Sequence, residues 1–183
     1  MNHIGTQPIE TERLILRRFS KDDAQAMFDN WASDAEVTKF MTWPPYERVE
    51  DVAGYLEYVE NSYANGELHW AIELKEIGEP VGAISVVKMN EAAKSLEIGY
   101  GIGRKWWHKG ITSEAFAAVI KFLFENTDVN RIEAVHDTNN PNSGRVMLKC
   151  GLKYEGTLRQ SGMNNQGICD SAIYSILREE YNK

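Results

Sequence analysis

The stretch from Leu96 to Phe124, LEIGYGIGRKWWHKGITSEAFAAVIKFLF, leaves this chain few folds to choose from. Leu96, Ile98, Tyr100 and Ile102 alternate with other residues at period two, which is the pattern of a strand. Arg104 to Lys109 form a basic turn that carries two tryptophans. Gly110 then starts a helix, because Ala115, Phe116, Val119, Ile120 and Leu123 recur at intervals of three and four. A strand that feeds a tight glycine turn and a helix N-terminus aims free backbone N–H groups at one point. The helix macrodipole adds partial positive charge there, and such a junction binds phosphate. A glycine beside a helix start is common in ordinary connections. What argues for an anion is the cluster Arg104, Lys105, His108 and Lys109, set in a chain of net charge −7.

Two familiar phosphate motifs do not fit. A P-loop needs Gly-Lys followed by Ser or Thr, and here Gly110 is followed by Ile111. A dinucleotide fingerprint needs its glycines after the strand, whereas Gly99, Gly101 and Gly103 sit inside it or at its end.

The turn resembles the acetyl-CoA pyrophosphate site of the GNAT superfamily of N-acetyltransferases. That family's motif runs (Arg/Gln)-x-x-Gly-x-(Gly/Ala) into a helix, and Trp107-His108-Lys109-Gly110-Ile111-Thr112 occupies its place. The branch that resembles ribosomal-protein and other protein N-terminal acetyltransferases shows IGY, then Trp-Gly-Lys-Gly, then Glu-Ala. This chain has Ile98-Gly99-Tyr100, Trp107-His108-Lys109-Gly110 and Glu114-Ala115. His108 replaces a usual glycine and must hold its turn with a side chain present, and Thr112 replaces a glycine or alanine. A second stretch matches the same branch: Asn140-Pro141-Asn142-Ser143, Lys149-Cys150-Gly151-Leu152 and Glu155-Gly156, with Leu152 in place of a phenylalanine.

The rest of the chain supplies elements in the order this family uses. Arg13 to Arg18 reads as a strand after a loose lead-in over residues 1–12. Ser20 caps a helix bearing Ala24, Met27, Phe28 and Trp31, and a short second helix follows Ser33 with Val37, Phe40 and Met41. Pro44-Pro45 breaks the chain, and Val49, Val52, Leu56, Val59 and Tyr63 mark a third helix that ends near Asn65-Gly66. His69–Lys75 and Val81–Met89 are strands about a turn at Gly78-Glu79-Pro80, and with Leu96–Ile102 they make an antiparallel meander. Asn130–His136 follows the Gly110 helix and implies a parallel crossover. A helix with Val146, Met147 and Cys150, closed by Gly151, takes Ser143 as its N-cap. Leu152–Arg159 and Ile168–Leu177 are the last two strands, joined by a turn over 164–167. The expected fold is α/β (α+β), one domain over residues 1–183 with a mixed, mostly antiparallel sheet flanked by helices. The resemblance covers about Ile9 to Leu177.

The resemblance implies transfer of an acetyl group from acetyl-CoA to a primary amine by direct attack. The protein N-terminal α-amine is the acceptor in the branch it resembles. A polyamine, amino acid or aminoglycoside is the alternative within the same chemistry, with Trp43 and Tyr46 as candidate walls of the acceptor pocket. A noncatalytic acyl-CoA-binding module and an unrelated nucleotide-phosphate binder are the alternatives outside it. The residues implied for the cofactor are Tyr100, Ile102, Trp107, His108, Lys109, Gly110, Ile111, Thr112 and Asn140. Tyr100 and Ile102 would offer backbone groups to the pantetheine arm, with the strand glycines allowing close approach. Glu97 would be the base that frees the amine, and Ser143 the proton donor to the leaving thiolate. Members of this family often pair, so a homodimer is compatible with the reading.

Composition narrows the partners. The acidic balance and a pI near 5.2 argue against nucleic acid, which selects a basic face. The sequence has no apolar run long enough for a membrane span and no apolar core for a signal peptide, so the expected location is cytoplasmic. Two cysteines and four scattered histidines, His3, His69, His108 and His136, predict no metal site and reduced thiols.

Overall fold

In the computed structural model, which describes residues 4–181, one eight-stranded sheet runs through the molecule in the order β1-β2-β3-β4-β5-β6-β8-β7. His3 and the first residues of the lead-in lie outside the described part. The strands are β1 (Ile9–Glu10), β2 (Leu14–Arg17), β3 (His69–Leu74), β4 (Glu79–Asn90), β5 (Ser95–Ile102), β6 (Arg131–Asp137), β7 (Lys153–Asn164) and β8 (Gly167–Leu177). All neighbours are antiparallel except β5 and β6, which pair in parallel. The helix that makes their crossover is α4 (Ile111–Asn126). No helix among the described residues is long and apolar enough to cross a membrane.

Each face of the sheet carries its own core. Phe116, Val119, Ile120 and Leu123 of α4 are buried with Leu14, Leu16, Ile72, Ile84, Leu96 and Ile98 on one side. Trp31, Val52, Leu56, Val59 and Tyr63 fill the other. That second layer comes from α1 (Ala24–Met27) and the turn after it, α2 (Ala35–Thr38), and α3 (Val49–Ser62) and the turn after it. Burying a side chain of this size contributes about 1.5–3 kcal/mol, so the four α4 residues alone fix that helix firmly against β5.

Local chemistry explains most boundaries. Ser20 does cap the first helix, in a capping box with Asp23. That helix is not uniform: a 3-10 turn precedes α1, and a π-turn over Phe28–Ala32 follows it and buries Trp31 and Ala32. The second helix ends at Thr38, so Phe40 and Met41 lie beyond it. β4 begins at Glu79, inside the expected turn, because Pro80 is tolerated where the β3–β4 register shifts between Ile72 and Glu73. β7 runs on to Asn164, five residues past expectation, across a register shift between Leu158 and Gly162. Ser143 is not a helix N-cap. Helix α5 spans Pro141–Lys149 with Asn140 in the cap position and Pro141 in the first turn, where a missing N–H costs nothing. Ser143 is thereby carried inside the first turn.

Candidate active site

The site begins where β5 leaves β6. Their parallel register ends at Glu97 and Glu133, while β6 continues to Asp137 on β8. Past Glu97 the two strands diverge. Gly103 N–H donates to Val81 O, so strand alternation turns the backbone groups of Ile98, Tyr100 and Ile102 toward the open gap. One of those groups is already engaged, because the Trp107 indole N–H donates to Ile102 O at 3.0 Å. Of the groups expected to face the pantetheine arm, Ile102 is left with its N–H to offer. The strand glycines also answer to the protein itself. A Cβ on Gly99 would meet Val87 at 2.8 Å, one on Gly101 would meet Met41 at 2.4 Å, and one on Gly103 would meet Asn30 O at 2.2 Å.

At the end of β5 the chain makes the basic turn. His108 and Gly110 both have positive φ, 60° and 74°. For histidine this left-handed backbone is strained, at roughly 1–2 kcal/mol, so the turn is held by its surroundings. The Arg13 guanidinium donates to Lys109 O at 2.9 Å and to Glu114 Oε2 at 2.6 Å. Glu114 also accepts from the Thr11 hydroxyl at 2.6 Å and from Arg13 N–H at 3.0 Å. Burial alone would raise the Glu114 carboxyl, but these donors outweigh it and hold the group below the usual carboxylate range. Arg13 thus neutralises the one acid in the first turn of α4 and braces the loop from behind. Glu114 N–H is taken by Gly110 O, which leaves the N–H groups of Ile111, Thr112 and Ser113 as the open helix-end donors.

A cleft of about 440 Å³ lies over this turn, lined by Tyr100, Ile102, Trp107, His108, Gly110, Ile111, Thr112, Asn140 and Ser143 among others. The expected cation set changes in detail. Lys109 is not in the wall, and its carbonyl is what the fold uses, through Arg13. Arg104 pairs with Asp34 at 2.9 Å, and Lys105 lies over the Trp106 ring, 5.2 Å from its centre. The cations that do line the cleft are Lys39, Arg145 and Lys149, which sequence reasoning missed. Lys149 Nζ sits 3.6 Å from where a Cβ on Gly110 would be. Its signal was present as the Lys of Lys149-Cys150-Gly151, one helix removed from the turn it serves. Helix-end N–H groups, three flanking cations and a strand edge with unpaired backbone suit a long anionic thioester such as acetyl-CoA.

The cleft continues through the gap. A second chamber of about 490 Å³ shares Met41, Tyr100, Gly101, Asn140 and Ser143 with the first. It is lined by Phe19, Trp31, Trp43 and Tyr55 and by the polar groups Glu97, His69 and Asp137. Tyr46 is not in its wall but stacks behind Trp43, with ring centroids 5.6 Å apart. Glu97 lies opposite a bulge in β4, where Val86 pairs with Ile98 and Lys88 pairs with Glu97. Its Oε2 accepts from Lys88 Nζ at 2.8 Å. Burial pushes the His69 imidazole down to about 4, so the ring is neutral at physiological pH. Asp137 holds its charge below the usual range: burial opposes this, but Asn139 N–H, the Asn164 amide and Cys169 outweigh it.

At the junction of the two chambers, the Tyr100 hydroxyl lies 2.9 Å from Ser143 O and 3.0 Å from Ser143 Oγ. Among the described residues the Asn140 side-chain amide makes no hydrogen bond, so it is free for a ligand. Neither thiol is placed as a nucleophile. Burial pushes the Cys150 thiol up to about 11, and its Sγ contacts Ser113 O at 3.3 Å. No group of three His, Cys, Asp or Glu among the described residues is placed to hold a metal ion.

Comparison with known proteins gives a consistent result. A family model described as an acetyltransferase (GNAT) domain matches residues 13–153. The N-acetyltransferase YoaA of Bacillus subtilis is 33% identical over 171 residues, 93% of this chain and 96% of that one. The ribosomal-protein-serine acetyltransferase of Escherichia coli is 27% identical over 140 residues, 74% of this chain and 75% of that one. Among solved structures, an acetyltransferase (GNAT family) from Bacillus anthracis superposes with a TM-score of 0.83 at 29% identity. That match covers 95% of this chain and 100% of that one.

Proposed function

The chain belongs to the GNAT family of acetyl-CoA-dependent N-acetyltransferases, and from that premise we propose that its acceptor is the N-terminal α-amine of a protein or peptide. The observation that carries this reading is the through-running cleft, whose second chamber opens between the β4 bulge and the β7–β8 hairpin. Val87 and Met163 line that opening and are 53% and 63% exposed. An open, apolar-rimmed mouth admits the end of a chain while the rest of it stays outside. The 27% identical relative named as a ribosomal-protein-serine acetyltransferase adds weight to a protein acceptor.

Acetyl-CoA supplies the activated acetyl group when bound. The N–H groups of Ile111, Thr112 and Ser113, with Lys39, Arg145 and Lys149, hold its phosphates, and the Asn140 amide meets the pantetheine arm. The amine enters from the second chamber. An α-amine titrates near ~8, so part of it is already free at neutral pH. Glu97, one oxygen of which is engaged by Lys88, takes the proton of the remainder directly or through water. Ser143 stands at the junction, where the sulfur leaves. No covalent enzyme intermediate is needed.

The test is thiol release from acetyl-CoA with a panel of acceptors: free peptides, the same peptides with blocked N-termini, a polyamine, an amino acid and an aminoglycoside. Turnover with free peptides that is abolished by the N-terminal block is expected. Turnover with the small amines alone would overturn the protein acceptor and leave the acetyltransferase chemistry in place. Light scattering on the same preparation reads whether the enzyme is a homodimer.

A further inference from the structure

The family resemblance implies only a backbone role for Tyr100, yet its side-chain hydroxyl contacts Ser143 directly. The ring leaves β5 on the α4 side and packs on Phe116, with centroids 5.3 Å apart. Its hydroxyl then crosses the gap to the first turn of α5 and meets both oxygens of one residue, Ser143 O and Oγ. A carbonyl can only accept, and a phenol has one proton. Either that proton goes to Ser143 O and the serine hydroxyl donates to Tyr100, or it goes to Oγ and frees the serine proton to turn into the cleft. Both arrangements hold Oγ in place, and the second is the one that leaves the serine proton for a ligand in the cleft.

We propose that Tyr100 is a positioning residue for the transfer reaction, its hydroxyl holding Ser143 Oγ at the junction of the two chambers so that Ser143 can donate a hydrogen bond to the leaving sulfur. This rests on the reading of Ser143 given above. Burial pushes the Tyr100 phenol well above its ordinary value, so it stays protonated throughout the physiological range. A thiol titrates near ~8.5 and is a stronger acid than either hydroxyl. The pair therefore stabilises the sulfur's negative charge by hydrogen bonding, and no proton changes owner. This revises the expectation that Ser143 protonates the thiolate outright. The plain alternative is that the bond to Ser143 O only docks α5 against β5. That would move stability and cofactor affinity but not the chemistry at sulfur.

The experiment needs no acceptor. CoA is bound to the wild-type protein, Tyr100→Phe, Ser143→Ala and the double variant, and the thiol of bound CoA is titrated by the ultraviolet absorbance of its thiolate. The same protein with desulfo-CoA serves as reference. Phenylalanine keeps the packing on Phe116. The expected wild-type midpoint lies below that of free CoA. Each single variant raises it by about one pH unit, the size of one charge-assisted hydrogen bond, and the double variant matches Ser143→Ala alone. If Ser143→Ala shifts the midpoint and Tyr100→Phe does not, the proposal falls and the Ser143 reading stands. If the two shifts add, or only Tyr100→Phe has an effect, Tyr100 does not act through Ser143 and the proposal falls. If neither variant differs from wild type, both readings fall.

Discussion

Gly144→Ala tests whether the placement of α5 governs turnover. Gly144 lies inside α5, next to Ser143, and a Cβ there would stand 2.6 Å from His136 Nε2 and 3.2 Å from the next ring atom. His136 cannot simply turn its other edge. Its Nδ1 lies 2.7 Å from Asp137 O, which can only accept, so an Nδ1–H donated to that carbonyl holds the ring's orientation. The ring also stacks on Tyr174, with centroids 5.5 Å apart. Nε2 is buried with no hydrogen-bond partner among the described residues. Against an ordinary contact of 3.4 Å, the overlap requires a shift of about 0.8 Å. Alanine in a helix interior gains about 1 kcal/mol over glycine, while overpacking costs about 1–3 kcal/mol. The net loss of stability is then about 0–2 kcal/mol, a fall in Tm of no more than about 8 °C for a chain of this size. Turnover is far more sensitive. A displacement of that size takes Ser143 Oγ from 3.0 Å out of hydrogen-bond reach of Tyr100, and a misplacement of about 1 Å costs up to about 100-fold. Steady-state acetyl transfer to the best acceptor, with a thermal melt of the same sample, is the assay. The expected result is a kcat at least about tenfold down with a Tm that falls by no more than about 8 °C. A variant with wild-type kcat and raised Tm would refute the reasoning, because it would mean that the ring yields and α5 stays where it is.

Three other outcomes follow from the same geometry. Lys149→Met removes a cation beside Gly110, and calorimetry should show acetyl-CoA binding about tenfold weaker at low salt, with a shallower salt dependence than wild type. Glu155→Gln probes acid stability. Arg131, with Ser175 assisting, holds the Glu155 carboxyl down to about 2. A lowered folded value means the stabilisation is present above the unfolded value near ~4.3 and is lost as pH falls toward 2. Because the Glu155 side chain is 42% exposed, the loss at neutral pH is only about 1 kcal/mol, and urea melts of the two proteins should converge in acid. Asn165→Ala frees the loop that carries Trp43 into the second chamber, proposed above to take the acceptor, since the Asn165 amide donates to Thr38 O at 2.8 Å and to Trp43 O at 2.7 Å. Acceptor KM should rise several-fold while acetyl-CoA affinity, read by calorimetry, stays at the wild-type value.

How far the sequence could be read depended on whether each signal was local. The junction from Leu96 to Phe124 was legible because strand period, turn glycine and helix period all sit within one stretch, and the structure places β5, the turn and α4 there. The parallel step from β5 to β6 was legible because the crossover rule needs only strand, helix and strand in that order. The cap of α5 was misread because Asn140, Pro141 and Ser143 all suit a helix start. What decides is that proline fits the first turn, which moves Ser143 from the cap to the third helical position and brings it to Tyr100. The long β7 was cut short because Gln160, with φ 52°, interrupts the alternation, and its N–H is taken by Asp170 from the neighbouring strand.

The cations of the cleft were hidden for a different reason. Arg104, Lys105 and Lys109 are adjacent in sequence and read as one anion site, but a tight turn sends neighbouring residues in different directions. Arg104 goes to Asp34 and Lys105 to Trp106, while Arg13, about a hundred residues away, binds the Lys109 carbonyl. The cations that face the cleft come from α5 and from the loop after α2. Backbone geometry is thus what the local sequence encodes at this site, and side-chain charge is delivered by the fold. The two contributions are separable in experiment. Replacing Lys149 should change affinity and its salt slope, whereas disturbing the Arg13–Glu114 brace should distort the turn and weaken binding with the salt slope retained.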